Sequence, residues 1–382
     1  MNIQEFSVGP KFVLGQGSIK ELSKLSIARA YIICDPFVEK SNMIHRILDC
    51  LKEMRALSKV FSRIVPDPTI EVISESIAEI REFKPDTVLA VGGGSAMDAA
   101  KAVVRVYTES ERVAKPILVA IPTTSGSGSE NTTFAVISDP KRNEKYALVD
   151  HSLVPDIAIL DSVFTMSVPP AITADTGMDV LTHCLEAYVS KHATDFSDAC
   201  AEKAATLTFR YIVEAYKKGD NPFAREKMHN ASSIAGIAFN NAGLGICHSL
   251  SHAIGAFFHV PHGRINAVLL PHIISFNASL EAERETAVAR RYAQMANVLN
   301  IYGITAKQCV RALNYAIISL MQQMEMPMTI KDLGIDPVEF EKMIPEMARR
   351  AIIDACTPTN PRAVTVAEIE EIYRGIARAE SV

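Results

Sequence analysis

Apolar positions along the chain follow one pattern in the first part and another in the second. Short apolar runs predict strands at 30–34, 87–91, 117–121 and 157–160, and two further runs at 134–138 and 146–149 predict a hairpin. Helical spacing between these strands predicts helices at 40–56, 70–83 and 95–107. Strands that alternate with helices are typical of a mostly parallel sheet with helices on both faces.

From Pro169 and Pro170 onward the pattern is helical almost to the end of the sequence, and proline suits the first turn of a helix. The predicted helices lie at 171–190, 196–217, 222–241, 245–257, 263–280, 282–299, 305–325, 337–351 and 366–379. The change of pattern predicts an α/β domain over residues 1–168 and an all-α domain over residues 169–382.

Composition narrows the class of protein. The 382 residues are 48% hydrophobic and 22% charged, which is ordinary for a water-soluble globular protein. The net charge is −5 without a long basic run, so neither nucleic acid nor a membrane is expected as a partner. Seven scattered cysteines do not form a disulfide framework. No signal peptide or membrane-spanning run is visible, and we therefore predict a cytoplasmic protein.

Ligand-capable side chains concentrate in two stretches of the helical domain. Asp179 and His183 stand four residues apart, as do His248 and His252, and this spacing places each pair on one helical face. His262 follows ten residues later, between a proline and a glycine. One carboxylate and two or three imidazoles would form a site for a divalent first-row metal. The alternative is that each histidine is only a capping or core residue.

Glycines at 92–94, followed by Ser95, separate a predicted strand from a predicted helix. Free backbone N–H groups at such a helix start can bind phosphate. Met97 stands where the usual dinucleotide fingerprint has its third glycine, so a tight turn without a ligand remains the alternative. The loop 122–129 offers further hydroxyl and backbone donors. Asp35, at a strand end, can accept a hydrogen bond from a ribose 2′-OH or cap a helix.

These motifs together resemble the iron-containing alcohol dehydrogenases, and the resemblance runs essentially from end to end. It is closest to the alcohol dehydrogenases of ethanolamine and propanediol utilisation. The matching segments are GQGS at 15–18, GGGSAMDAAKA at 92–102, IPTTSGSGSE at 121–130, TGMDVLTHCLEAYVS at 176–190, GICHSLSHAIGAFFHVPHG at 245–263 and NPR at 360–362. Asn131 and Asp175 depart from the usual family residues.

The resemblance implies a Rossmann-like dinucleotide-binding domain followed by a metal-binding domain, and it implies roles for individual residues. Positions that match the metal ligands are Asp179, His183, His248 and His262. His252 matches a histidine by the nicotinamide that is not a ligand, and Phe239 and Cys356 match the substrate pocket. Positions that match the cofactor site are Asp35, Gly93, Gly94, Ser95, Asp98, Thr123, Thr124, Ser127, Thr132 and Lys145.

The implied activity is NAD-dependent interconversion of short-chain primary alcohols and aldehydes, such as ethanol, 1-propanol or 1,3-propanediol. The implied cofactors are NAD and Fe²⁺, although zinc also suits these ligands. Alternatives are a polyol or glycerol dehydrogenase, a dehydroquinate-synthase-type lyase of the same fold, and a non-enzymatic scaffold. The lyase would require basic residues near the metal motif, and only Arg264 follows it. The resemblance also implies a homo-oligomer, a dimer or larger, and leaves association with a bacterial microcompartment open.

Overall fold

The computed structural model describes residues 4–141 and 144–378, with the backbone alone for Glu144 and Lys145. The chain forms two units. One is Ser7–Val168, and the other is Pro169–Val382 together with Met1–Phe6. None of the helices in the described ranges combines the length and the apolar character that crossing a membrane requires.

A parallel sheet is the centre of the first unit. The strands along the chain are β1 Lys11–Leu14, β2 Arg29–Cys34, β3 Leu57–Phe61, β4 Thr87–Gly92, β5 Ile117–Pro122, β6 Phe134–Asp139, β7 Glu144–Val149 and β8 Ile157–Leu160. Six of them form one sheet in the order β1-β8-β5-β4-β2-β3, with every neighbouring pair parallel. The other two, β6 and β7, form the predicted antiparallel hairpin.

Both faces of this sheet are covered, as the continuous apolar runs predicted. The helices of this unit are α1 Pro36–Glu39, α2 Asn42–Glu53, α3 Ile70–Phe83 and α4 Gly94–Glu111. Successive strand residues point to opposite faces, so Tyr31 and Ile33 pack in the core formed with α3 and α4. Ile32 and Cys34 pack in the core formed with α2. The prediction of an α/β fold with a mostly parallel sheet is confirmed.

Two edge regions of the sheet were not predicted. The strands β1 and β3 have four and five residues, and each pairs with one neighbour only. Their partly exposed side chains do not form an apolar run, so the pattern in the sequence is weak. The predicted helix at 40–56 was therefore too long, because α2 ends at Glu53 and the chain enters β3 at Leu57.

The order of the strands creates a switch point between β2 and β4. After β2 the chain goes outward to β3, and then returns to β4 on the other side of β2. The carboxyl ends of β2 and β4 are adjacent, since Cys34 pairs with Val91. Ligands of open α/β sheets bind at such switch points, outside the carboxyl ends of the strands. This arrangement brings Asp35 beside the glycines that follow β4.

Within its described residues the second unit contains helices joined by loops and has no strand. Its α-helices are α5 Pro170–Val189, α6 Asp195–Lys217, α7 Pro222–Ala242, α8 Ile246–Phe258, α9 His262–Ala278, α10 Ala287–Val298, α11 Ala306–Gln323, α12 Pro337–Ile352 and α13 Val366–Arg378. Buried residues occur on every side of α5, which identifies it as a central helix. The prediction of a helix from residue 282 was wrong at its start, because α10 begins at Ala287 with Thr286 as its cap.

Candidate functional site

The four predicted metal ligands come from three helices of the second unit. Asp179 and His183 lie on the central helix α5, His248 lies in the first turn of α8, and His262 is the first residue of α9. The Asp179 Oδ1 atom is 3.9 Å from His183 Nε2, 3.7 Å from His248 Nε2 and 3.6 Å from His262 Nε2. The structure therefore brings all three imidazoles to one carboxylate.

A glycine allows α9 to begin this close to α5. A Cβ atom at Gly263 would lie 2.1 Å from the backbone oxygen of Asp175, so any larger residue would push the two helices apart. Arg264 then fastens the same contact, donating bonds of 3.0 and 2.9 Å to the two carboxylate oxygens of Asp175. Asp175, a departure from the usual family residue, thus helps to hold His262 beside Asp179.

Burial and mutual contact shift the protonation of these side chains. Burial alone would raise the pKa of Asp179, but the neighbouring imidazoles hold it below its ordinary value. Burial lowers the pKa of His183 to about 4 and that of His262 well below its ordinary value. Burial also opposes a charge on His248, yet its hydrogen bonds with Asp179 and Glu186 raise its pKa to about 9. The two neutral imidazoles offer lone pairs, and a metal would displace the proton of His248.

These residues fit a divalent metal by their chemistry and their spacing. Ligand atoms about 2.0–2.2 Å from one ion in a tetrahedral set lie about 3.3–3.6 Å apart, close to the distances around Asp179. The Asp179, His248 and His262 ligand atoms all lie within 4.8 Å of one another. The atom of this group from which the distance to His183 Nε2 is measured is Asp179 Oδ1, at 3.9 Å. The His183 ring stacks on the Phe239 ring with centroids 4.4 Å apart. Phe239 thus lies against a predicted ligand.

His252 lies beside this group and is bonded elsewhere. Its Nδ1 atom is 2.9 Å from Asp354 Oδ2, and its ring stacks on His262 with centroids 5.1 Å apart. The side chain is 46% exposed, whereas that of His248 is buried. Cys356 belongs to the same cluster, because ligand-type atoms of His252, Asp354 and Cys356 lie within 4.8 Å of one another. Of the two predicted pocket residues, Phe239 therefore contacts the predicted ligand His183, and Cys356 lies beside His252.

The glycines after β4 meet the loop after β5. A Cβ atom at Gly93 would be 3.2 Å from Thr124 Oγ1, and one at Gly94 would be 3.1 Å from Ser127 Oγ. The Thr123 N–H donates to the Gly92 carbonyl at 2.9 Å, which continues the pairing of the two strands into the loop. The first turn of α4, with Ser95, starts at this cradle. Backbone N–H groups and hydroxyls thus surround a point suited to a pyrophosphate.

The remaining predicted cofactor residues occupy different environments. Asp35 caps α1, since its Oδ1 accepts from the N–H groups of Phe37 and Val38 at 2.8 Å each. Its Oδ2 would be 3.4 Å from a Cβ at Gly92, so this carboxylate also faces the glycine turn. Asp98 and Thr132 make hydrogen bonds within the unit, and Thr132 is fully buried. The side chain of Lys145 lies outside the described residues.

Comparison with known proteins decides the family. Residues 9–162 match the family profile described as iron-containing alcohol dehydrogenase. Residues 173–377 match the C-terminal profile of the Fe-containing alcohol dehydrogenase family. The chain is also 44% identical to the 1-propanol dehydrogenase PduQ of Citrobacter freundii, over 97% of this chain and 99% of that protein. The chain belongs to the iron-containing alcohol dehydrogenase family.

Solved structures agree with this assignment. A 1,3-propanediol oxidoreductase superposes with a TM-score of 0.91 and 30% identity, covering 98% of this chain and 100% of that one. A sulfoacetaldehyde reductase of Bifidobacterium kashiwanohense, crystallised with NAD⁺, superposes with a TM-score of 0.88 and 28% identity, covering 100% of both chains. The predicted family, fold class and enzyme class are confirmed: the protein is a metal-dependent alcohol dehydrogenase.

In this alcohol dehydrogenase, Glu186 bonds to the predicted ligand His248, and the sequence analysis did not identify Glu186. The buried Glu186 carboxylate accepts from His248 Nδ1 at 2.6 Å, from the Cys247 N–H at 2.7 Å and from the Gly245 N–H at 3.0 Å. A carboxylate on one ring nitrogen directs the other nitrogen toward a metal. The available signal was spacing, because Glu186 stands seven residues after Asp179 and three after His183, on the same helical face.

Two asparagines complete the surroundings of the ligands. Asn266 Nδ2 donates to Asp179 Oδ1 at 2.8 Å and lies 3.0 Å from His262 Nε2. Asn360 Oδ1, from the NPR segment, accepts from the N–H of Ile246 at 3.2 Å and so satisfies the start of α8. Asn266 follows His262 by four residues and was detectable by that spacing. Asn360 was not, because 114 residues separate it from the helix that it caps.

Proposed function

We propose that this alcohol dehydrogenase interconverts short-chain primary alcohols and aldehydes, using NAD(H) and Fe²⁺. The observation that carries the proposal is the convergence of three imidazole nitrogens on the Asp179 carboxylate within 3.9 Å. This donor set also suits zinc, and intrinsic affinity favours zinc over iron. Iron is chosen because of the family to which the chain belongs.

Each residue has a role in this proposal. Bound Fe²⁺ supplies Lewis-acid polarisation of the substrate oxygen, and NAD(H) supplies or accepts the hydride. Asp179, His183, His248 and His262 hold the metal, with Glu186 and Asn266 orienting them. His252 carries the proton between the site and solvent, and its partial exposure suits that path. Phe239 and Cys356 line the substrate pocket. The dinucleotide is contacted within residues 1–168 by Gly93, Gly94, Ser95, Thr123, Thr124, Ser127 and Lys145. The metal ligands lie within residues 169–382.

The charge around the ligands favours this reaction over the lyase alternative. A polyanionic sugar-like substrate needs free cationic groups, and Arg264 was the one candidate after the histidine motif. The structure engages Arg264 in a bidentate bond with Asp175. That pairing favours a neutral substrate.

The substrate proposal is tested by a panel of aldehydes. We expect the purified, iron-loaded enzyme to oxidise NADH with ethanal, propanal and butanal at a higher kcat/KM than with phosphorylated or carboxylated aldehydes. The physical reason is that the apolar pocket residues and the neutralised Arg264 leave an anionic substrate without compensation for its desolvation. Steady-state kinetics with metal analysis of the same sample measure this. A preference for a charged aldehyde contradicts the proposal.

Cofactor choice is a separate prediction, and NADH is expected to be preferred over NADPH. The Asp35 carboxylate would face the 2′-phosphate of NADPH. At about 4 Å and an effective dielectric of about 20, such a like-charge pair costs about 4 kcal/mol. Screening at this partly exposed site reduces the cost to about 1–3 kcal/mol, or about 5–150-fold in affinity.

The matched variants for this prediction are Asp35→Asn and Asp35→Gly. Because Asp35 Oδ1 caps α1, Asn removes the charge and keeps the cap, whereas Gly removes both. We expect both variants to gain kcat/KM with NADPH, and Asn to keep the native thermal stability. An unchanged ratio of NADPH to NADH in Asp35→Asn would show that Asp35 is not the selector.

Oligomeric state and location complete the proposal. From the family we propose a cytoplasmic homo-oligomer. A more specific location, inside a bacterial microcompartment, is suggested by the 1-propanol dehydrogenase relative. Light scattering coupled to size-exclusion chromatography tests the first. Imaging of a fluorescent fusion in cells that form microcompartments tests the second.

A further inference from the structure

A buried lysine stands on α4, two turns after the glycine cradle. Lys101 is 1% exposed, and its Nζ, which has three N–H donors, lies within hydrogen-bond distance of four oxygen atoms of one segment. The acceptors are Ser129 Oγ at 3.0 Å, Thr132 O at 3.1 Å, Thr132 Oγ1 at 2.7 Å and Phe134 O at 2.9 Å. A buried ammonium is unfavourable unless it is bonded in this way. Lys101 therefore fastens segment 129–136 to α4.

Asp98, one turn earlier on the same helix, fastens the same segment from its other side. Its Oδ1 accepts from Ser129 Oγ at 2.6 Å, and its Oδ2 accepts from the Val136 N–H at 3.0 Å. The Lys101 Nζ lies 3.9 Å from this carboxylate, so the two charges compensate each other. Burial raises the pKa of Asp98 and lowers that of Lys101 to about 8, and each charge opposes the shift of the other. The pair holds both ends of segment 129–136.

This segment continues directly from the loop that covers the glycine cradle. Thr124 and Ser127 lie against Gly93 and Gly94, and Ser129 follows Ser127 by two residues. The Ser129 N–H also donates to Ser127 Oγ at 3.4 Å. A shift of Ser129 would therefore move the hydroxyl that faces Gly94.

We propose that Lys101 and Asp98 are positioning residues of the cofactor site, which hold the loop 122–129 at the distance from Gly93 and Gly94 that a pyrophosphate requires. The inference rests on the proposed use of NAD(H). Under this inference Asp98 and Thr132 do not contact the cofactor themselves. The hydrogen bonds of both side chains are made to other residues of the same unit. Asp98 and Lys101 of the GGGSAMDAAK motif then support the phosphate site without contacting the phosphate.

The test measures NADH binding directly, by isothermal titration calorimetry, with the full-length metal-loaded protein. Lys101→Met keeps the length of the side chain and removes the charged donor together with its hydrogen bonds to segment 129–136. We expect its Kd for NADH to rise about 10–100-fold. Since the metal ligands lie in the other unit, metal content should not change. In steady state, KM for NADH should rise while kcat at saturating NADH stays within about twofold of native.

Two further variants keep the test decisive. Ser129→Ala removes only the hydroxyl that joins Asp98 and Lys101, and it should raise the Kd about threefold to tenfold. Lys115→Met is the matched control, because Lys115 is bonded to Asp156 at the other end of the unit's strand β5, and its Kd should be native. A native Kd in folded Lys101→Met overturns the inference, and if that variant does not fold, a native Kd in Ser129→Ala does so. Absence of NADH binding by the unaltered enzyme overturns the proposed function as well.

Discussion

Replacing His262 by Ala is expected to abolish turnover and to remove most of the bound metal. His262 is one of the four proposed ligands, and its Nε2 lies 3.6 Å from the Asp179 carboxylate at the centre of the group. The three remaining ligands cannot restore the fourth bond, because burial has already fixed their positions. Turnover should then fall to background, since Lewis-acid activation has no substitute in the site.

The fold should survive this substitution. His262 is the first residue of α9, and its backbone N–H is among those that need no partner within the helix. Metal content by elemental analysis, circular dichroism and NADH oxidation should be measured on the same sample. His259→Asn is the matched control, because His259 is an exposed residue in the left-handed conformation that asparagine tolerates. Near-native turnover in folded His262→Ala would remove His262 from the ligand set.

The second large effect is expected at His252, without loss of metal. His252→Ala should slow turnover about 10²–10⁴-fold, the usual range for a group that transfers a proton. The reason is geometric: His252 Nδ1 is bonded to Asp354, and this leaves Nε2 to exchange a proton with substrate and solvent. Metal analysis of His252→Ala therefore distinguishes a proton-relay residue from a metal ligand.

Asp354→Asn provides the companion measurement for His252. The amide keeps the shape of the side chain, but it can place an N–H donor where His252 Nδ1 now donates, and so favour the wrong tautomer. We expect slower turnover with native metal content, by a smaller factor than in His252→Ala. Loss of metal in His252→Ala would instead make His252 a ligand.

Much of the fold was predictable because burial leaves a pattern in the sequence. The strands β2, β4 and β5 are covered on both faces, so they read as uninterrupted apolar runs. Helices of the second unit bury a stripe or, in α5 after its first turn, nearly the whole surface, and their spacing is equally visible. The edge strands β1 and β3 escaped prediction because a strand with one neighbour and partly exposed side chains lacks that pattern.

The sequence by itself also determined which residue types could bind metal and phosphate. Spacing of four placed Asp179 with His183, and three glycines after a strand marked a helix start with free N–H groups. These are local relations, since a few residues of backbone geometry determine them. They could be read without knowing what the segment packs against.

Only the tertiary structure decided which of these side chains meet. His248 and His252 share one helix and a spacing of four, yet the first bonds to Glu186 on α5 and the second bonds to Asp354. Gly263 mattered because the backbone of α5 passes where its Cβ would be. Asp98 accepts a hydrogen bond from Ser129, which lies 31 residues away in the chain. Contacts between distant segments depend on how helices and strands pack, and spacing along one segment carries no record of that packing.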